Sequence, residues 1–133
     1  MSYRTTLLLI GLFGFTGVAL GAFGAHALHE TLVQRGLQHA WETAVTYQLL
    51  HTVALLGLAL GTKNDPPPQT GVLRWAARLW AVGILLFSGS LYGLALGGPA
   101  VLGPVTPLGG LALLGGWGCV IAAGLKQGPR PAA

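Results

Sequence analysis

The side chains of this sequence that could carry chemistry sit inside or at the ends of long apolar runs. Thr43, Tyr47 and His51 recur at i, i+4 spacing with Gln48 beside them, which on a helix stacks them along one face. His26 closes an earlier apolar run at a similar depth. His26 and His51 could ligate a metal or haem, or bind a quinone or another small molecule, with Tyr47 and Gln48 donating hydrogen bonds. The same groups can instead satisfy one another. Hydrogen bonds between membrane helices are worth roughly 0.6 to 2 kcal/mol, enough to retain His, Gln and Tyr as interhelical glue. That reading is preferred, because no metal-ligand spacing is compelling.

Other chemistries find less support. His26, His29 and Glu30, alongside His39 and Glu42, offer imidazole and carboxylate to zinc, but structural zinc sites more often use cysteines. The single cysteine, Cys119, lies within the last apolar run, where it reads as a small buried hydrophobe and forms no intramolecular disulfide. Ser88, Ser90 and Tyr92 share a third run, where hydroxyls can bond backbone carbonyls or a neighbouring helix. Ser88-Gly89-Ser90 lacks the flanks of a hydrolase elbow and has no base nearby in sequence, so a Ser-His mechanism has no support. The sequence implies no cofactor, no metal and no enzymatic activity.

The elements that must position these residues follow from hydropathy. Leu7 to Leu28 is a stretch of 22 residues without Lys, Arg, Asp or Glu, and a bilayer core of about 30 Å needs about 20 residues of helix. A signal peptide would compete for this run, since Ala25-His26-Ala27 imitates a cleavage site, but its usual apolar core is only about 7 to 15 residues. Further spans are expected over 44–61, 79–97 and 107–125. Asn64-Asp65-Pro66-Pro67-Pro68 and Gly97-Gly98-Pro99 separate them, and Thr106-Pro107 reads as N-cap and first helical residue. Between the first two spans, residues 29–43 alternate Leu32, Leu37 and Trp41 with Glu30, Gln34, Arg35, Gln38 and Glu42. This pattern predicts an amphipathic interfacial helix that sets Trp41 at headgroup depth.

Composition agrees with an all-helical, four-span transmembrane bundle. Of 133 residues, 53% are hydrophobic and 8% charged, too few charges to cover a soluble domain. The net charge of +4 flanks apolar segments and forms no basic face with aromatic platforms, which argues against nucleic acid as a partner. Arg4, Lys63, Arg74, Arg78, Lys126 and Arg130 fall on one side of the membrane and Arg35 alone on the other. That bias predicts cytoplasmic termini, with the 29–43 segment and the 98–106 loop facing outward. A cysteine reagent added from outside should then modify a cysteine placed at position 35; modification at position 64 instead would refute the orientation.

Glycines punctuate every span: Gly17-x-x-x-Gly21, Gly57-x-x-x-Gly61, Gly89-x-x-x-Gly93-x-x-x-Gly97, and the pairs Gly109-Gly110 and Gly115-Gly116. Small faces let helix backbones approach and gain van der Waals contact, within one chain or between copies in a homo-oligomer.

Five segments together carry a resemblance: Gly21-Ala-Phe-Gly-Ala-His26, Trp41-x-Thr43, Tyr47-Gln48-x-x-His51, Phe87-Ser-Gly-Ser-Leu-Tyr92 and Thr106-Pro107-Leu-Gly-Gly110. In this order they resemble the domain of unknown function 423 family. The resemblance implies a small multi-helix protein of the bacterial plasma membrane, with eukaryotic relatives also transmembrane and no established reaction. It nominates His26, Trp41, Thr43, Tyr47, Gln48, His51, Ser88, Ser90, Tyr92, Thr106 and Pro107 as a shared polar site; His29 and His39 fall outside it. The functional expectation is a structural or regulatory role in the bilayer. The alternative is a binding protein or carrier for a small hydrophobic or ionic ligand at an outward polar patch.

Overall fold

Ser2 starts the first helix: its hydroxyl accepts the Thr5 amide at 3.1 Å, satisfying a donor the first turn leaves unpaired. A computed structural model describes residues 2–63 and 67–126, with side chains given for 2–63 and 71–126. It contains α1 (Tyr3–Ala25), α2 (His29–Gln34), α3 (Gln38–Gly61), α4 (Pro67–Ala95) and α5 (Leu102–Lys126). Four of them, α1, α3, α4 and α5, are long and apolar enough to cross a bilayer. Residues 64–66 of the Asn64–Pro68 turn, and Arg130 of the charge bias, lie outside the described residues.

Several expected boundaries move, each for a physical reason. Residues 29–43 do not form one interfacial helix. Gly36 takes φ +67°, and the Leu37 amide reaches back to the Leu32 carbonyl at 2.9 Å. This left-handed glycine cap ends α2, and residues 38–43 become the first turns of α3. Trp41 is not an interfacial anchor either, since its ring is buried between α1 and α4. α4 begins at Pro67, where the sequence reading placed only a breaker, because a first-turn proline forfeits no helical hydrogen bond. α5 likewise begins at Leu102, so Thr106 and Pro107 lie inside it and are not its N-cap and first residue. Its first turn includes Pro104, which the same rule tolerates.

α4 ends as α2 does. Gly97 has φ +88°, and the Gly98 amide bonds the Gly93 carbonyl at 2.8 Å. Arg35 Nη1 donates to the Ala95 carbonyl at 3.3 Å, so its positive charge sits on the electronegative end of α4.

Polar and apolar surfaces are inverted relative to a soluble protein. Phe15, Val53 and Leu114 are 76%, 68% and 68% exposed, whereas Gln48 and Ser88 are 4% and 1% exposed. Such a surface is suited to hydrocarbon, with the polar groups kept inside. α1 packs on α3, α3 on α4, and α4 most extensively on α5. Glycines govern two of these contacts. Gly17, Gly21 and Gly24 receive Leu49, Val45 and Trp41 of α3, while Gly109 lies against the α4 backbone at Phe87 and Gly116 against the Trp80 ring. The first core cluster includes Ile10, Phe13, Leu55, Trp80, Ile84 and Leu113; the second joins Leu32, Trp41 and Ala95.

Candidate functional site

α3 presents two polar faces to different neighbours. Toward α1, Gln48 Nε2 donates to the Phe13 carbonyl at 2.8 Å and to Thr16 Oγ1 at 2.9 Å. Its Oε1 accepts the Tyr92 hydroxyl of α4 at 2.9 Å. One amide thus ties three helices together, with both N–H groups used. Above it, Trp41 Nε1 donates to the Leu20 carbonyl at 2.9 Å, and its ring meets Tyr92 edge-on at 4.8 Å. The ring occupies the hollow left by Gly24. Thr52, one turn below Gln48, returns its hydroxyl to the Gln48 carbonyl at 2.6 Å.

The second face looks toward α4 and α5. His51 Nδ1 lies 2.8 Å from the Tyr47 carbonyl, which can only accept, so Nδ1 carries the proton. Trp117 Nε1 donates to His51 Nε2 at 3.1 Å, which requires the neutral imidazole and occupies the lone pair a metal would need. Trp80 packs on Trp117 at 4.7 Å and on His51 at 6.2 Å. Among the described residues, Trp80 Nε1 alone is a buried side-chain nitrogen or oxygen without a partner. Tyr47, 42% exposed, packs on Phe87 at 4.7 Å, and among the described residues no group accepts its hydroxyl hydrogen. Tyr47, His51, Phe87, Pro107, Leu114 and Trp117 border a groove of about 600 Å³ between α3 and α5.

The nominated residues therefore do not form one site. Trp41, Gln48 and Tyr92 share the α1–α3–α4 seam, whereas Tyr47, His51 and Pro107 border the groove. Ser88 donates to the Ala44 carbonyl at 2.8 Å, linking α4 to α3. Ser90 and Thr106 exchange a 2.7 Å hydrogen bond between α4 and α5. Thr43 is half-buried and belongs to neither network. His26 is exposed at the end of α1. Since Gly24 faces Trp41 and Gly14 faces Thr52, His26 and His51 stand about 18 Å apart along the helix axes. Among the described residues no three His, Cys, Asp or Glu side chains converge. Glu30 and Glu42 instead accept from Gln34 and Gln38 on their own helices at 3.1 and 2.9 Å.

Three participants escaped the sequence reading. Thr16 carried no signal beyond being a hydroxyl in an apolar run. Trp80 and Trp117 did carry one, because indoles favour membrane interfaces and these two lie within a turn of the midpoints of α4 and α5.

Four long helices with apolar exteriors and inward polar side chains define a multi-pass integral membrane protein. The chain belongs to the family described as "Protein of unknown function (DUF423)", whose sequence model matches residues 20–110. That range contains all five segments that suggested the resemblance. A "UPF0382 membrane protein" of Haemophilus influenzae is 44% identical over 112 residues, covering 84% of this chain and 86% of the relative. The "UPF0382 inner membrane protein YgdD" of Escherichia coli K12 is 38% identical over 127 residues, covering 95% and 93%. A "UPF0382 membrane protein" of Schizosaccharomyces pombe is 37% identical over 113 residues, covering 81% and 91%. No solved structure matches.

Proposed function

We propose that the protein is a non-enzymatic component of the bacterial plasma membrane with a structural or regulatory role. The observation that carries this reading is Gln48, whose three hydrogen bonds to Phe13, Thr16 and Tyr92 lie wholly inside the chain. A polar group spent on joining helices is unavailable for catalysis, and in hydrocarbon its alternative would be an unsatisfied amide. Gln48→Leu and Tyr92→Phe should each lower stability in lipid by about 1 to 2 kcal/mol, with a coupling of about 0.5 to 1.5 kcal/mol in the double-mutant cycle. Zero coupling would remove the seam as the organising element.

The proposal includes cytoplasmic termini, supported by the basic residues gathered at the end where Tyr3, Lys63 and Arg74 line one cleft. Self-association is assigned to the Gly57 and Gly61 face, because a methyl group added to either would meet no atom of the described residues within 4 Å. Crosslinking in lipid that finds only monomers would remove that assignment.

A second reading is favoured by Tyr47. Tyr47 lines the groove between α3 and α5, and its hydroxyl has no acceptor among the described residues, which supports binding of a small membrane-dissolved ligand there. The site lies deeper than the outward patch around His26.

A further inference from the structure

Resting on that second reading, we propose that the groove between α3 and α5 binds a flat, lipid-soluble ring compound bearing a carbonyl, with the Tyr47 hydroxyl as donor to the carbonyl oxygen. Depth is the first argument. Tyr47 and His51 lie within a turn of the midpoint of α3, and Trp117 within a turn of that of α5. At the centre of a bilayer neither water nor headgroup oxygen is at hand, so a phenolic O–H without a protein acceptor forfeits a hydrogen bond there. A ligand that supplies an acceptor at that depth must itself dissolve in hydrocarbon, which excludes a phosphate, a sugar or a free ion.

The walls supply the second argument. Tyr47 and Phe87 pack at 4.7 Å with their ring planes tilted by 35°, and Pro107, Leu111, Leu114 and Trp117 complete an apolar slot. Its volume of about 600 Å³ falls in the range of small-molecule sites, about 300 to 1,000 Å³. Flat rings fit such a slot with little loss of freedom, and aromatic walls gain from offset stacking.

The polar atoms supply the third argument, because they are biased toward donation. Among the described residues the Tyr47 O–H has no acceptor, whereas the Trp117 Nε1–H is already donated to His51 and the orphaned Trp80 Nε1–H is buried behind that pair, out of the groove. The one basic nitrogen, His51 Nε2, is already engaged by Trp117. A groove with one free O–H donor and its ring nitrogen occupied favours a ligand oxygen that accepts over a group that can only donate, and a carbonyl accepts without adding a donor that would itself need a partner in hydrocarbon. A second copy of the chain is a poorer occupant, since an apolar helix face brings no spare carbonyl.

The test uses the full chain in phosphatidylcholine nanodiscs, with decylubiquinone as probe and tryptophan emission as readout. Decylbenzene, which has a ring and the same tail but no carbonyl, serves as competitor. The expected result is a saturable quenching component above the collisional background, not displaced by decylbenzene. Tyr47→Phe should weaken it about tenfold, the loss of one hydrogen bond in a protected site. Leu114→Trp should abolish it, with helical content unchanged in both variants. Equal binding by Tyr47→Phe together with displacement by decylbenzene would overturn the carbonyl assignment while leaving the ligand-binding reading intact. Absence of any saturable component in the parent chain would overturn both. A dimer that Leu114→Trp dissolves, without probe binding, would give the groove to a second copy and overturn the proposal.

Discussion

Replacing Gly109 with valine should lower the unfolding free energy in lipid by about 3 kcal/mol, near the upper end for an overpacked contact. A Cβ at this position would meet the backbone of α4 at Phe87 and Leu86, where no rotamer change can make room. The helices must separate, and this is the most extensive contact in the molecule. Separation would also strain the Gly83–Leu113 and Gly116–Trp80 contacts in the same interface, and the 2.7 Å bond between Ser90 and Thr106. Gly118→Val is the matched control on the same helix: an added Cβ there meets nothing within 4 Å, so its effect should stay within about 0.5 kcal/mol. Reversible denaturation of the two variants in the same mixed micelle measures the difference. Equal effects would mean that the close approach of α4 and α5 is wrong.

Trp41→Ala should cost about 3 to 4 kcal/mol, as expected when a large buried aromatic leaves a cavity. The indole is 2% exposed, fills the space opposite Gly24, meets Tyr92 at 4.8 Å and donates to the Leu20 carbonyl at 2.9 Å. Truncation empties the upper core cluster, and it releases Tyr92, whose hydroxyl holds Gln48 Oε1. Trp41→Phe separates the contributions, since it keeps most of the ring volume and loses the N–H. It should recover most of the stability and leave a deficit of about 1 kcal/mol for the hydrogen bond. A phenylalanine variant as unstable as the alanine variant would show that the hydrogen bond, and not packing against Gly24, fixes α1 on α3.

The fold was largely legible in the sequence because one physical constraint dominates it. Backbone amides in hydrocarbon must bond within their own helix, so uncharged runs of about 20 residues announce spans with little competition from other folds. Helix ends were legible only in part. The left-handed caps at Gly36 and Gly97 use a residue type that signals them, although at Gly36 the amphipathic pattern on either side masks the signal. Pro67 and Pro107 misled, because proline can break a helix, begin one at its first turn or be accommodated further in, and sequence spacing alone does not say which applies.

The site was legible as a set of residue types but not as a geometry. Tyr47 and Gln48 are adjacent in sequence, hence about 100° apart around α3. That step sends Gln48 to α1 and Tyr47 to the groove beside α5. Grouping them as one patch ignored the rotation. His26 was placed with His51 because both end or enter apolar runs, yet the pairing of Gly24 with Trp41 sets the register of α1 on α3 and leaves His26 at the rim. Trp117 is the instructive omission. An indole in the middle of a span needs a partner for its N–H, and a search for that partner would have led to His51, a neutral imidazole at matching depth.

α3 turns Gln48 and Thr52 inward and an apolar face to lipid, and the rest of the bundle is arranged around that orientation. Nitroxide labels placed singly along positions 44–60 in nanodiscs, read for collision with oxygen, test it directly. The expected result is a helical period with maxima at Leu50, Val53 and Leu60 and minima at Ala44, Gln48, Leu55 and Ala59, following their exposure. Oxygen accessibility that peaks instead at positions 48, 52 and 55, or collision with a water-soluble nickel chelate along that face, would contradict it.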